Sequence, residues 1–535
     1  MATTIATTDI VLENKAQQSR PIVWSIAASD SGGGAGIQAD LNTIHSLECH
    51  GCTVITAITA QNSISVSKIH PISAVDLAAQ WQALENDLPP KAIKIGLLPE
   101  PSTLRWLARH LKELRLENDF FCVWDPVLKA STGARFLDAF DRGEINPLLK
   151  QVDLITPNLQ EAEMLTKITI KSFSDITLAA KQLLERGVKN VLIKGGHSFE
   201  DSSEACGASF CRDYFAHEEG SFWLSHVKQD QPNNHGTGCT LASAIASFVA
   251  QQYSLSDSIV LANRFIQQGL RLAAPQGKGA GPVWQTKLEN NPADLSELSK
   301  SSQSFDAHMS SEINKPSSKT SFAEEQELGL YAIVDNLLDL KRLIKQGVNT
   351  LQWRVKPEAQ STDTQPTKAD DAKENLQYAI KLCQQHDIRL YINDDWQLAL
   401  EFSAYGIHLG QEDLEQVQAE DLLRIQKQGM RLGISCHNET ELAYAHSLKP
   451  SYLAFGPVFT PNSKIVDHPP LGLAKVEMWQ NCYGKLYPTT CIGGIDLDNM
   501  PQVLATGIRS IAVISALNDE VKSAAFIKTF ALHLT

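Results

Sequence analysis

Two glycines, a threonine and a cysteine in His235-Gly236-Thr237-Gly238-Cys239-Thr240, just before the small-residue run Leu241-Ala242-Ser243-Ala244-Ile245-Ala246, are built to meet negative charge. Glycines at Gly236 and Gly238 let the backbone turn tightly and bring its N–H groups close to a ligand. A helix starting at once aims its free amides and positive dipole end at the same point. Such an anion hole suits the charge that builds up as a phosphoryl group is transferred. A plain loop-to-helix junction has the same pattern, so its neighbours must decide. Asn158-Leu159-Gln160-Glu161 supplies an amide and a carboxylate fit to arrange a metal–phosphate complex. Lys194-Gly195-Gly196-His197 ends a strand with a cation, and Asp125 ends another in Val123-Trp124-Asp125-Pro126-Val127. Singly, each reads as a cap or turn residue; together at strand ends they point to phosphate chemistry.

A second constellation lies further along. Gln352-Trp353-Arg354-Val355-Lys356 alternates along a strand, so Gln352, Arg354 and Lys356 share one face. Two cations on an inward face need an anionic ligand, because unpaired buried charge is costly. Asp394 and Asp413 follow separate strands and could hold one magnesium through oxygen ligands. Their neighbours Asp395 and Glu412 suit helix capping better. Cations plus magnesium on a diphosphate would stabilise a departing pyrophosphate. Gly-rich turns at Ile492-Gly493-Gly494-Ile495 and Val513-Ile514-Ser515-Ala516 follow the last two strands, where barrels commonly grip phosphate.

The elements that position these residues fall into two series. From residue 21 to about 289, strand candidates at 22–27, 53–57, 92–95, 120–124, 154–155 and 190–193 alternate with helical stretches at 77–84, 103–114 and 176–186. Strand–helix alternation predicts parallel pairing, with ligands beyond the carboxyl ends of the strands. Residues 290–326 are Ser-, Lys-, Asn- and Glu-rich and read as a flexible linker. From 327 to 535, strands are expected at 328–334, 350–354, 389–392, 406–408, 431–434, 452–455, 489–491 and 510–513, which predicts a (β/α)8 barrel. The fold class is therefore α/β twice over. The polar loop 357–370 is either a lid or an insertion.

Composition narrows the partners. The 535 residues exceed one ordinary core, and 43% hydrophobic with 20% charged residues describe a globular protein. A net charge of −14 argues against nucleic-acid and anionic-membrane binding. No apolar run reaches bilayer length, and residues 1–20 form a polar tail without signal-peptide character. Ten scattered cysteines suit free thiols and a cytoplasmic setting; Cys206 and Cys211 lack partners for a zinc site. Homo-oligomerisation stays open.

The motifs SDSGGGAGIQAD (29–40), TAITAQN (56–62), KIGL (94–97), TPNLQE (156–161), KGGH (194–197), HGTGCT (235–240) and GKGAGPV (277–283) make the first series resemble hydroxymethylpyrimidine/phosphomethylpyrimidine kinase of the ribokinase fold. The resemblance implies that Asp40 and Gln61 hydrogen-bond an aminopyrimidine against an apolar wall of Leu97 and Val127. It implies ATP as co-substrate, with Lys194, Asn158, Glu161 and Thr237 at the nucleotide and Glu161 and Asp125 organising magnesium. Cys239 stands where related sugar kinases carry an Asp base. A helix N-terminus lowers a thiol pKa from ~8.5, so Cys239 is expected to help activate the substrate hydroxyl. The competing view leaves catalysis to the Gly236–Cys239 backbone. A pyridoxal-type alcohol is the alternative substrate, disfavoured by Asp40 and Gln61.

The second series resembles thiamine-phosphate synthase from Leu328 to beyond Ala516. That implies Gln352, Arg354, Lys356, Asn393 and Lys464 on the pyrimidine diphosphate, Asp394 and Asp413 on magnesium, and Ser435 at the ring or diphosphate. Thr460, Pro461, Asn462, Ser463, Gly494, Ile514 and Ser515 would receive the phosphate of hydroxyethylthiazole phosphate. Pro461 departs from the family's usual Thr and lacks both a hydroxyl and an N–H. A thiazole tautomerase or a silent binding module is the alternative, opposed by the diphosphate-type cations and carboxylates.

Overall fold

A computed structural model describes residues 19–127, 142–195, 210–300, 321–355, 366–460 and 468–534. Gly196, His197, Lys356, Pro461, Asn462, Ser463, Lys464, Cys206, the polar tail before residue 19 and most of the 357–370 loop lie outside the described residues. Contacts divide the chain into two compact units, Met1–Thr156 with Pro232–Ser254 and Ala273–Lys287, and Pro157–Gln231 with Leu255–Leu272 and Leu288–Thr535.

The N-terminal strands are β1 (Ile22–Asp30), β2 (His50–Gln61), β3 (Val66–Pro71), β4 (Ala92–Ile95), β5 (Phe121–Trp124), β6 (Leu154–Ile155), β7 (Asn190–Ile193), β8 (Phe210–His217), β9 (Gly220–Val227) and β10 (Glu297–Ser299). They form one sheet in the order β10-β9-β8-β7-β6-β5-β4-β1-β2-β3. The pairs β1–β2, β1–β4, β4–β5 and β5–β6 are parallel, as strand–helix alternation predicts. Both margins depart from it: β3 returns antiparallel beside β2, and β7 to β10 pair antiparallel. The β8–β9 hairpin closes through Glu218 and Glu219, with His217 opposite Gly220.

Strands β11 (Leu330–Val334), β12 (Thr350–Trp353), β13 (Arg389–Asn393), β14 (Gly406–Leu409), β15 (Arg431–Cys436), β16 (Tyr452–Phe455), β17 (Thr489–Cys491) and β18 (Ile511–Val513) close into the expected eight-stranded parallel barrel. Alternation sorts the side chains. Leu330, Ala332 and Val334 join the layer under the helices, while Tyr331 and Ile333 join Tyr391, Tyr452 and Ala512 inside. Three tyrosines fit because their neighbours are small. A Cβ on Gly433 would stand 2.1 Å from the Tyr452 ring, and one on Gly406 2.5 Å from Tyr391.

The linker boundaries need correction. Asn291 caps a short 3-10 turn, Pro292–Asp294, and β10 pairs with β9, burying Leu295 and Leu298. At the other end, Phe322 is buried and Glu325 lies beneath the barrel, its side chain 2% exposed. Glu325 meets Arg389 at 3.2 Å and Arg431 at 3.4 Å, and accepts hydrogen bonds from Tyr391 and Tyr405. Only the intervening residues 301–320 remain as a candidate tether, and they lie outside the described residues. Among the described residues no helix is long and apolar enough to cross a membrane.

Candidate active sites

The anion hole begins at Gly236, whose φ of +81° turns the chain into the helix Thr237–Ala250. A Cβ there would lie 2.0 Å from the Gly34 carbonyl oxygen, so only glycine lets the two loops meet. No side chain caps the helix, and the amides of Gly238 and Cys239 have no acceptor among the described residues. Free first-turn amides of this kind attract anions. Behind them, Asp30 accepts from the Gly32, Gly34 and Ala35 amides and lies 3.6 Å from His235. Burial alone would raise the Asp30 carboxyl, but bonds from His235, Gly32 and Ala35 outweigh it and hold it low. His235 also approaches Gln61 at 3.4 Å.

The other residues expected at this site lie as follows. Leu97 and Val127 pack together with Ala28 and Ala57, forming one apolar patch. Asp40 does not face outward: it is wholly buried beneath Cys239. Lys94 donates to both Asp40 oxygens at 2.7 and 2.8 Å, and Ser25 and Ser243 fill its remaining acceptor sites. The reason is Lys94, which sits inside the fully buried β4 and needs a counter-ion. A lone lysine in Ala-Ile-Lys-Ile was the signal available in sequence. Asp125 is also buried and accepts from Thr156 at 3.2 Å.

The Cys239 thiol contradicts its expected activation. Loss of solvation pushes it up to about 11, although Lys94 and an amide bond from Gly36 pull the other way. A protonated thiol is a poor base, and the geometry left at the helix start is that of the backbone amides.

Asn158 and Glu161 close a reciprocal capping box, each side chain accepting the other's amide at 2.9 and 2.8 Å. The Lys194 amide donates to the Pro157 carbonyl, which aligns the end of β7 with this cap. Gly195 is required there, because a Cβ would stand 1.8 Å from the Arg212 carbonyl oxygen.

At the barrel mouth, Asp394 follows β13 with φ +64° and accepts from the Asn393 side chain. Burial, then a hydrogen bond and repulsion from Asp413, push the Asp394 carboxyl up to about 7, while Arg354 pulls it down. A carboxyl raised by burial beside a second carboxylate is a donor set that a hard divalent cation fits. Asp395 caps the next helix through the Leu398 amide, as expected. Thr460 lies beside Gly494, with its carbonyl oxygen 3.2 Å from the position of a Gly494 Cβ. Ile514 and Ser515 are exposed after β18, the neighbour of β17, whose following turn contains Gly494.

Gln352 needs correction. It is 3% exposed, and its side-chain amide bonds inward to the Tyr331 hydroxyl. Sequence reading also missed His408, which joins Tyr452 at 2.7 Å and Ser435 at 2.8 Å inside the barrel. Burial, with Arg354 and His437 adding to it, lowers its pKa to about 3, so it is neutral. Nearby, His437, Glu441 and His468 bring three possible ligand atoms within 4.8 Å. Glu441 is already engaged there, accepting from the His437 amide and the Asn438 side chain.

An anion hole at a helix start in one fold and paired carboxylates at a barrel mouth in the other suit two transferases acting on phosphorylated compounds. The family described as phosphomethylpyrimidine kinase matches residues 30–284, and thiamine monophosphate synthase matches residues 330–517. A rice relative, "Probable thiamine biosynthetic bifunctional enzyme, chloroplastic", is 30% identical over 93% of this chain and 86% of its own length. A thiamine-phosphate synthase of Yersinia pestis is 48% identical over 36% of this chain and 84% of its own. A solved pyridoxal kinase from Staphylococcus aureus, with AMP-PCP and pyridoxal, is 25% identical at TM-score 0.46, covering 53% of this chain and all of that one. The chain belongs to the family of bifunctional thiamine biosynthetic enzymes, pairing a phosphomethylpyrimidine kinase domain with a thiamine-phosphate synthase barrel.

Proposed function

We propose that the kinase phosphorylates hydroxymethylpyrimidine with ATP, then phosphorylates the monophosphate to the diphosphate. The unfilled amides of Gly238 and Cys239 carry this reading, because they can hold the transferring phosphoryl group. Leu97 and Val127 supply an apolar wall for a flat ring, and Gln61 a polar edge. Asn158, Glu161, Lys194, Thr237 and Asp125 are assigned to the nucleotide and its magnesium.

The barrel then joins the diphosphate to hydroxyethylthiazole phosphate. The carbon–oxygen bond of the pyrimidine methylene breaks with its electron pair leaving on pyrophosphate, and the thiazole nitrogen attacks that carbon. Arg354, with Lys356 and Lys464, neutralises the leaving oxygens, and Asn393 orients them. Asp394 and Asp413 would hold magnesium, which supplies further charge neutralisation to the diphosphate when bound. Gly494, Ile514, Ser515 and the 460–463 segment take the thiazole phosphate. The protein contributes leaving-group stabilisation and positioning. Free thiols at the described cysteines suit a reducing compartment such as the cytoplasm.

The test supplies hydroxymethylpyrimidine, ATP, magnesium and thiazole phosphate to the purified protein. Thiamine phosphate, followed by mass spectrometry, is the expected product. Supplying the pyrimidine diphosphate without ATP isolates the second half; no product in either arm overturns the assignment.

A further inference from the structure

Five side chains form one continuous hydrogen-bond chain through the barrel interior. Gln352 Nε2 donates to the Tyr331 hydroxyl at 3.1 Å; Tyr331 and Tyr452 hydroxyls meet at 2.8 Å. Tyr452 reaches His408 Nδ1 at 2.7 Å, and His408 Nε2 reaches Ser435 Oγ at 2.8 Å. All but Ser435 are buried.

The donors can be assigned in order. An amide nitrogen only donates, so the Tyr331 oxygen accepts from Gln352. The proton of Tyr331 has one partner left, the Tyr452 oxygen, and an unpaired hydroxyl proton would be costly there. Tyr452, having accepted, donates onward to His408 Nδ1. A neutral imidazole carries one proton, so it sits on Nε2 and is donated to Ser435 Oγ. Ser435 accepts from the interior, and its own proton is left for whatever occupies the mouth.

We propose that this one-way chain makes His408 and Tyr452 positioning residues for the synthase reaction, presenting the half-buried Ser435 hydroxyl as a donor to an acceptor atom of the pyrimidine diphosphate. The proposal rests on the synthase reading above. With the chain reversed, Ser435 would donate to His408 and could only accept from substrate, which is the wrong polarity for an anionic diphosphate or a ring nitrogen. Gln352, expected at the diphosphate, therefore acts at a distance by setting the direction.

The experiment uses the full-length chain labelled with 15N-histidine, the His408 signals being assigned through contacts to the Tyr452 ring. The Nε2–H tautomer is expected in the wild type; finding Nδ1–H overturns the proposal without any variant. Tyr452→Phe removes the donor to Nδ1 and with it the bias, so a mixture of the two tautomers is expected in place of the single Nε2–H form. In synthase assays, Tyr452→Phe and Ser435→Ala are each expected to raise KM for the pyrimidine diphosphate about tenfold. The double variant is expected to be no worse than either single one, since both remove the same donor. Additive losses, or a Tyr452→Phe enzyme with wild-type KM and tautomer, overturn the proposal. Kinase turnover in the same samples controls for folding of the other half. If the wild type releases no pyrophosphate, the synthase reading fails, while the tautomer still reports on the chain.

Discussion

Lys94 and Asp40 form a fully buried ion pair, with the ammonium 2.7 and 2.8 Å from the two carboxylate oxygens, directly under the cysteine of the anion hole. Neither member reaches solvent, so each exists for the other. Breaking one side strands a charge. Lys94→Met is expected to cost about 3–5 kcal/mol of stability in the kinase half. A Lys94→Met, Asp40→Leu double variant is expected to recover much of that. Thermal unfolding read by kinase-specific fluorescence checks it, and full additivity of the two changes would show the pair is not coupled.

Cys239 is expected to be dispensable as a base. A general base is worth roughly 10²–10⁴ in rate, so Cys239→Ala should lose less than about tenfold in kinase turnover if the backbone does the work. The turnover of the wild type should also show no inflection from thiol ionisation below pH 9, because the thiol is pushed up to about 11. A hundredfold loss in Cys239→Ala would restore the thiol to the reaction.

Removing the Arg354 cation or the Asp394 carboxylate should hit one activity alone. Arg354→Ala and Asp394→Ala are each expected to lower synthase turnover by about 10²–10³, the usual loss when a charge-stabilising group is deleted. Kinase turnover should stay at the wild-type level. Parallel loss of both activities would contradict separate sites.

The Asp394–Asp413 pair predicts a pH dependence with an unusual sign. The Asp394 carboxyl is raised from 3.8 to about 7. Between those values the folded state holds a proton that the unfolded chain has released, so metal-free stability should fall as pH rises through that window. Magnesium must displace the proton, so its apparent affinity should climb as pH passes about 7. Asp413→Asn removes the repulsion and should flatten both trends. Titration calorimetry at several pH values measures the second; an affinity that ignores pH in the wild type would refute the raised Asp394 carboxyl.

Much of this fold could be read from residue patterns, and the failures have identifiable causes. The strands 92–95, 154–155, 190–193, 452–455 and 489–491 match the observed β4, β6, β7, β16 and β17, because short apolar runs between turn residues leave little ambiguity. The β8–β9 hairpin escaped notice since Arg212 and Asp213 interrupt its apolar pattern, yet both are buried. β10 was hidden in a serine-rich stretch, where Leu298 alone anchors it to β9. The positions of the loop-borne candidates were legible from glycines and carboxylates after strands, as at Gly236 before its helix and Asp394 after β13. The partners of Asp40 and His408 were not, because Lys94 lies 54 positions away and Tyr452 44 positions away, and only folding brings them into contact.

Glu325 changes what the connecting segment means. Its carboxylate is gripped by Arg389, Arg431 and two tyrosines of the barrel, so the last residues before the barrel serve as its base plate. A gene cut to free the synthase would have to be made upstream of Phe322. Cut after Glu325, and Arg389 and Arg431 would lose the carboxylate they share under the eight-stranded ring.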